Sequence, residues 1–362
     1  MLLPVYLNIY KIITNDLIYY LKNIMKKILT NWKHLPGLHC GSVAIRDIVN
    51  FYNISMSEEL CFGLGGGLGF YNSTNSHTPT RSIHVRGPWM ESGFFNHFGF
   101  GYKDWQYEDD NEKAHKLLIE SINKDVPVLI QTDIYYLDYY NSGTHFPGHI
   151  VVVCGYDEDN QLFYLADTAY EDIKEVSFDK MKLARNSKYE PYPLRNNYLN
   201  IDLKFNEVDL NTAVPGAISM NARYMQNGTE TVRGKSGIEE INCWSDELPG
   251  WKNIDDWKWS SRFAYQVISR RGVDGAAFRW MYRDFLKQVE DYCPTVVKMG
   301  LAGEMNIIGA KWSELSVILK NISELNTVTT QFEEASETAR NIYILERNFY
   351  SKVLENSELS KF

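Results

Sequence analysis

Residues 148–168, GHIVVVCGYDEDNQLFYLADT, have the pattern of two β-strands joined by a turn. β-branched and aromatic residues fill both halves, and the polar run 157–160 separates them. The start of the first strand then lies beside the end of the second, so His149 should come opposite Asp167 or Thr168. A regular even-numbered turn would pair His149 with Thr168 and turn Asp167 to the other face. Contact between His149 and Asp167 therefore requires an odd-length loop or a β-bulge.

A helix is predicted upstream, in residues 41–53, GSVAIRDIVNFYN, where apolar residues recur at helical spacing. It should begin at about Gly41. Cys40 stands at its amino end, where unpaired N–H groups and the helix dipole favour a thiolate. The alternative is that Cys40 is a small apolar residue packed at a helix start.

The chain order of Cys40, His149 and Asp167 is that of a nucleophile, a base and an orienting acid. His149 would take the proton from Cys40, and Asp167 would fix the tautomer of the ring and stabilise its cation. The alternative is a strand-end histidine and a turn aspartate in a non-catalytic binding module.

Two further histidines precede the cysteine. His34 is the upstream polar residue best placed by sequence to approach an oxyanion, and His39 is a candidate for lining the pocket or tuning its charge. A metal site is not expected, because the HFPGH segment that contains His145 and His149 includes proline and glycine, so these two residues cannot share a helical face.

A glycine run occupies residues 62–71, FGLGGGLGFY. It lacks the Lys-Ser/Thr pair of a Walker loop and the strand and glycine spacing of a dinucleotide fingerprint. The remaining interpretations are a structural turn and a wall that faces the substrate, so Gly65, Gly66 and Gly67 are candidate pocket residues.

Composition excludes several classes of partner. Of the 362 residues, 46 are acidic and 37 basic, and the net charge of −9 gives no basis for binding nucleic acid or an anionic membrane. The five cysteines form an odd set without a C-x-x-C pair, which argues against a disulfide framework or a zinc ribbon and favours the reducing cytoplasm. Residues 1–30 are predicted to be a helical extension, because polar residues interrupt any membrane span.

The rest of the chain divides by its pattern. Residues 31–175 combine helical and strand patterns, including a helix at 111–123, and form the predicted catalytic domain. Residues 176–362 form a predicted mainly helical domain, with helical periods over 256–271, 275–291 and 311–353. The fold class is therefore α+β, followed by a helical C-terminal domain.

Four segments, LHCGSVAIRDIV, LCFGLGGGLGFY, GHIVVVCGYD and YLADT, resemble the amino-terminal domain of the butirosin biosynthesis protein H family in order and spacing. The segment 272–286, GVDGAAFRWMYRDFL, is similar to the helical domain of unknown function that accompanies it. The resemblance implies a papain-like cysteine-protease fold adapted to acyl transfer. It places the nucleophile at Cys40, the base at His149 and the orienting acid at Asp167, with the glycine run near the site.

In the namesake activity an aminoacyl group moves from the pantetheine thioester of an acyl carrier protein to an amine of an aminoglycoside. The resemblance therefore implies an acyl carrier protein and a small amine acceptor as partners. The phosphopantetheine thioester belongs to the carrier, so no resident cofactor is expected. The alternative is a cysteine peptidase, amidase or thioester hydrolase that uses the same triad.

The resemblance also bears on which groups stabilise the oxyanion and which residues dock the carrier protein. Papain-like enzymes commonly carry a glutamine about six residues before the cysteine as an oxyanion donor, whereas this chain has His34. The backbone N–H of Cys40, together with His34 or His39, is the expected substitute. Candidates for docking the acidic carrier are Arg270, Arg271, Arg279 and Arg283.

Overall fold

The computed structural model describes residues 25–97, 104–190, 193–203, 208–231, 234–270, 274–328 and 330–361. In chain order the strands are β1 (Lys26–Ile28), β2 (Leu68–Thr74), β3 (Arg81–Arg86), β4 (Val128–Thr132), β5 (His149–Asp157), β6 (Leu162–Ala166), β7 (Lys174–Ser177), β8 (Tyr198–Asn200), β9 (Glu230–Thr231) and β10 (Gly234–Lys235).

The helices, also in chain order, are α1 (Cys40–Phe51), α2 (Glu58–Leu64), α3 (Met90–His97), α4 (Asn111–Asn123), α5 (Phe178–Arg185), α6 (Leu210–Asn227), α7 (Ile238–Glu247), α8 (Trp257–Ser269), α9 (Arg279–Gln288), α10 (Thr295–Lys298), α11 (Leu301–Glu324) and α12 (Gln331–Glu355). Short 3₁₀ turns occur at Ile134–Tyr136 and Asp138–Tyr140. In the described part of the chain, no helix is both long and apolar enough to cross a membrane.

The chain forms two compact units, and each unit contains two separate segments. The first comprises Met1–Ser55 and Lys103–Lys204, and the second comprises Met56–Tyr102 and Phe205–Phe362. This division differs from the predicted consecutive domains, because β7, α5 and β8 belong to the first unit while the glycine run belongs to the second. The physical reason is that β7 and β8 complete the sheet of the first unit by pairing with β6 and β4.

An antiparallel sheet organises the first unit. Its strand order is β7-β6-β5-β4-β8, with β1 paired to β5. All nine residues of β5 are buried, and the apolar face of α1 is buried as well. The helices α1 and α4 lie where sequence periodicity predicts them, with α1 starting at Cys40 and α4 spanning Asn111–Asn123.

The predicted N-terminal helical extension is wrong for the part that the structure describes. Residues 1–24 lie outside the described residues, but Lys26–Ile28 is a strand rather than a helix. This strand pairs with β5, from Lys26 opposite Asp157 to Ile28 opposite Gly155. Backbone pairing with the end of β5 that extends beyond β4 overrides the weak helical pattern of such a short segment.

The second unit is mainly helical and also contains the β2–β3 hairpin. Large aromatic side chains fill its core, with Phe70 packed against both Trp244 and Trp312. The predicted helical stretch 311–353 consists of two helices, α11 and α12, because the short polar and β-branched residues 326–328 (NTV) interrupt it. The predicted fold class, α+β with a mainly helical C-terminal region, is confirmed.

Candidate active site

Cys40 is the first residue of α1 and is partly exposed. The preceding residue, His39, caps the helix, since its Nδ1 accepts a hydrogen bond of 3.1 Å from the backbone N–H of Ser42. Helix geometry leaves the N–H groups of Cys40 and Gly41 without acceptors inside the helix, so they surround the thiol with positive partial charge. This end of α1 therefore suits an anionic sulfur or a developing oxyanion.

A β-bulge in the β5–β6 hairpin decides which face Asp167 occupies. The pairing runs from Val152 opposite Ala166 and Val153 opposite Leu165 to Gly155 opposite Tyr164, so β5 contains one extra residue, Cys154. Continued by one residue, the register places Asp167 opposite Val151. His149, the first residue of β5, precedes Val151 by two residues and therefore lies on the same face of the strand.

The result is the contact that the sequence analysis required, but its geometry is diagonal rather than directly opposite. His149 Nε2 lies 3.0 Å from each carboxylate oxygen of Asp167. Both residues are buried, His149 at 7% and Asp167 at 1% exposure, so the ion pair has little solvent screening. The diagonal position corrects the predicted direct pairing, because the bulge changes the register by one residue.

The opposite charges of His149 and Asp167 shift the pKa of each residue toward its ionised form. Burial by itself would lower the pKa of His149, but the charge and hydrogen bond of Asp167, together with the hydrogen bond and charge of Cys40, raise it to about 10. Burial by itself would raise the pKa of Asp167, but the His149 charge and hydrogen bonds lower it. Because Nε2 faces Asp167, the remaining ring nitrogen, Nδ1, is the atom left for Cys40. The structure thus brings Cys40, His149 and Asp167 together.

Two tyrosines that the sequence analysis missed hold the carboxylate. The Tyr139 hydroxyl donates to Asp167 Oδ2 at 2.7 Å, and the Tyr140 hydroxyl donates to Oδ1 at 3.0 Å. The Tyr140 hydroxyl is also 3.2 Å from His149 Nε2. Burial is the main reason that the pKa values of both tyrosines rise, which keeps the hydroxyls protonated as donors. The available signal was the tyrosine-rich run YYLDYY at 135–140, shortly before His149.

His34 does not have the role expected of an oxyanion donor. Its Nδ1 bonds to the carboxylate of Asp47, and its Nε2 lies 2.8 Å from the backbone oxygen of Tyr170 and 3.2 Å from that of Asp167. Both ring nitrogens are therefore engaged by the protein. His39 is also buried, at 4% exposure, and its Nδ1 serves the helix cap rather than a pocket wall.

The candidate glycines Gly65, Gly66 and Gly67 lie in the second unit, whereas Cys40 lies in the first. Gly66 has a φ of +67°, and a Cβ on Gly67 would come within 2.5 Å of the Phe62 ring. These constraints within the second unit account for the glycines as a tight turn between α2 and β2.

His145 and His149 face different carboxylates. His145 Nδ1 lies 2.6 Å from Asp133 Oδ2, and its ring stacks between Tyr135 and Tyr189. Asp138, another carboxylate near these histidines in the sequence, forms an ion pair with Lys180 at 2.9 Å. In the described part of the chain, no group of three or more histidine, cysteine or acidic residues has the arrangement of a metal site.

Among the arginines proposed for docking, Arg279 is fully buried and paired with Glu346, so it is wrong as a docking residue. Arg283 bonds to the neighbouring Asp284, and Arg270 bonds to the Tyr265 hydroxyl. Arg271 lies outside the described residues. These contacts are internal to the second unit.

Comparison with known families matches both parts of the chain. Residues 39–168 match the model described as Butirosin biosynthesis protein H, N-terminal, and residues 179–353 match the Domain of unknown function (DUF4872). The chain belongs to the butirosin biosynthesis protein H-like family. Cys40, His149 and Asp167 all lie within the first match, and this family is consistent with a papain-like fold. Membership in the butirosin biosynthesis protein H-like family suggests a biosynthetic, acyltransferase-like role.

The chain is also similar to the Uncharacterized protein YobF of Bacillus subtilis (strain 168), at 26% identity over 185 residues. The match covers 51% of this chain and 60% of that protein's length. The name of this relative assigns it no activity.

Replacing Asp167 by asparagine tests the electrostatic coupling. Loss of the carboxylate charge is expected to lower the pKa of His149 by about 1–3 units, because an opposite charge in contact favours the protonated ring. The imidazolium would then be lost at a lower pH as the pH rises, and the titration of the His149 ring measured by NMR reports this directly. Tyr139→Phe is the matched control, since it removes a hydrogen bond from Asp167 and leaves its charge. An unchanged His149 titration in Asp167→Asn would contradict the coupling.

Proposed function

We propose that this chain is a cysteine-dependent acyltransferase that moves an acyl or aminoacyl group from a carrier-protein thioester to a small amine through an acyl-Cys40 intermediate. The observation that carries the proposal is the arrangement around His149, where Asp167 bonds Nε2 and Cys40 is the partner left for Nδ1. Family membership supports the same class of reaction.

In the first step the Cys40 thiolate attacks the carbonyl carbon of the thioester. A bond forms between that carbon and Sγ, the carbon–sulfur bond to the carrier breaks, and the His149 imidazolium protonates the leaving thiolate to give the free thiol of the carrier. The N–H groups of Cys40 and Gly41, at the start of α1, are the donors proposed to stabilise the oxyanion. The phosphopantetheine arm stays on the carrier, so the enzyme needs no cofactor of its own for this step.

In the second step an amine attacks the acyl-enzyme. The carbon–nitrogen bond forms, the carbon–Sγ bond breaks, and neutral His149 accepts the proton from the amine, which regenerates the thiolate–imidazolium pair. Thioester exchange is nearly balanced in free energy, whereas amide formation drives the reaction forward. Asp167 remains ionised throughout, held by the Tyr139 and Tyr140 hydroxyls.

Hydrolysis is the competing function, because the same three side chains can activate water instead of an amine. A peptidase, amidase or thioester hydrolase would use the same acyl-Cys40 intermediate and release a free acid. The acceptor that reaches the intermediate separates the two functions. We place either reaction in the cytoplasm, since Cys40 must stay reduced and all five cysteines are free thiols.

The test supplies acyl and aminoacyl thioesters, on a carrier protein and on N-acetylcysteamine, with and without a panel of amines and aminoglycosides. Intact-mass spectrometry should detect an adduct on the protein that maps to Cys40, and product analysis should detect an amide that forms only when an amine is present. Free acid as the sole product, at every amine concentration, would overturn transfer in favour of hydrolysis. Absence of any adduct and any product would overturn both.

A further inference from the structure

Among the described residues, the groups that face the ring nitrogens of His34 are all hydrogen-bond acceptors. Nδ1 faces Oδ2 of Asp47, and Nε2 faces the backbone oxygens of Tyr170 at 2.8 Å and Asp167 at 3.2 Å. A carbonyl oxygen can only accept. Asp47 also forms an ion pair with Arg46, whose guanidinium donates two hydrogen bonds to the other carboxylate oxygen, at 2.8 and 3.1 Å.

A neutral imidazole carries one N–H donor and one nitrogen lone pair. Its lone pair would therefore point at an acceptor on one side or the other, inside a site where the His34 side chain is only 2% exposed. An imidazolium donates from both nitrogens and satisfies all of these contacts. The geometry thus requires two protons on the His34 ring.

The contacts of this ring connect two parts of the candidate active site. Asp47 lies on α1, seven residues after Cys40, while the carbonyls of Asp167 and Tyr170 belong to the turn that follows β6. The backbone supports the same connection, since the N–H of Gly37 donates to the oxygen of Thr168 at 3.0 Å. The segment that leads into Cys40 is therefore fastened to the turn that presents Asp167.

We propose that His34 is a positioning residue, held as an imidazolium, that fixes the turn of residues 167–170 to the nucleophile helix α1. The structural part of this inference is independent of the reaction, and its catalytic consequence rests on the proposed function. The residue acts through Asp167 and His149 and does not touch the reacting atoms. It occupies the sequence position where an oxyanion donor was expected, and it performs a different task there.

The charged groups facing His34 come from two elements. Asp47 and Arg46 lie on α1, and the Asp167 carboxylate, paired with His149, belongs to the turn on the other side. Burial by itself would lower the pKa of His34, but the hydrogen bond and charge of Asp47 and the two backbone carbonyls raise it. As the pH rises through this raised pKa, one nitrogen loses its proton and its contact becomes repulsive. The turn should then loosen.

The first experiment measures the protonation state of His34 in the unaltered protein. A titration of the ring followed by nitrogen-15 NMR, with His34→Gln used to assign the signals, should show that His34 keeps both ring protons to a higher pH than a histidine with the ordinary pKa of about 6.5. A His34 ring that loses its proton at or below this ordinary value would overturn the proposal. This measurement needs no substrate, so it stands or fails separately from acyl transfer.

The second experiment replaces Asp47, the anionic partner of His34, and measures the titrations of both His34 and His149. Asp47→Asn should lower the pKa of His34, because the anionic partner is lost. His149 should then lose its proton at a lower pH than in the unaltered protein, since the turn that presents Asp167 is less firmly held. The pH at which the transfer rate falls on the alkaline side should move to lower pH together with the His149 titration. The variant should reduce kcat more than it changes KM.

If His34 had a purely structural role, Asp47→Asn would lower the transfer rate by the same factor at every pH. The titration of His149 would then be unchanged, provided that circular dichroism shows an intact fold. His149 that titrates unchanged while His34 is neutral would overturn the positioning role. If neither variant folds, sequential backbone assignment of the unaltered protein identifies the His34 signals, and their titration still decides the protonation that the proposal requires.

Discussion

Cys40→Ala is expected to abolish the acyl-enzyme and to lower the rate of amide formation about a thousandfold or more, because alanine offers no nucleophile. The fold should persist, since the Cys40 side chain is partly exposed at the start of α1 and the His39 cap is independent of it. Intact-mass analysis after incubation with an acyl thioester, together with the rate of product formation, measures both effects.

The matched control for this prediction is Cys243→Ser. Cys243 is an exposed thiol in the second unit, and its pKa is raised by burial of part of the side chain and by nearby glutamates such as Glu240. This variant should form the adduct and the amide as the unaltered protein does. Full activity in Cys40→Ala, or an adduct that disappears with Cys243 instead, would contradict the assignment of the nucleophile.

Glu346→Gln is expected to destabilise the second unit by about 3–5 kcal/mol, because it leaves a buried guanidinium without its counter-charge. Arg279 and Glu346 are both fully buried, with Arg279 Nε at 2.8 Å from Glu346 Oε1 and Nη2 at 3.0 Å from Oε2. The Trp312 indole N–H also donates to Oε1, at 2.6 Å. The free energy of unfolding in urea, followed by tryptophan fluorescence, measures the loss.

Two further variants test whether the expected loss of stability comes from the buried charge and not from the loss of any ion pair. Glu314→Gln breaks the exposed Lys311–Glu314 pair and should cost less than about 1 kcal/mol. The double variant Arg279→Met with Glu346→Leu removes both charges and should be more stable than Glu346→Gln alone, because no charge is left buried without its partner. The gain is reduced because the Trp312 indole N–H loses its acceptor and the carbonyls of Gly69, Val85 and Ala277 lose a donor. A loss in Glu346→Gln as small as that in Glu314→Gln would show that the buried pair does not stabilise the unit.

Much of the local structure near the site followed from short-range patterns. The helix that starts at Cys40 and the hairpin that carries His149 both arise from periodicity within a dozen or so residues, which is the range over which side chains of one element share a face. The same patterns failed at residues 26–28, where a neighbouring strand rather than local preference decides the conformation.

Residues with distant partners could not be predicted in this way. Tyr139 and Tyr140 act on a carboxylate that lies 28 and 27 residues further along the chain. His34 contacts backbone carbonyls 133 and 136 residues away. A backbone carbonyl has no residue-type signature, so nothing in the letters near His34 indicates that it binds a turn instead of an oxyanion.

By itself, the sequence determined the residue types of the candidate triad, their order, the helix and hairpin that present them and the fold class. Only the tertiary structure decided that Cys154 forms the bulge which turns Asp167 to the face of His149, that the glycine run belongs to a different compact unit from Cys40, and that Arg279 is a buried ion-pair partner. Periodicity is a property of consecutive residues, whereas register, burial and charge pairing depend on which distant segments pack together.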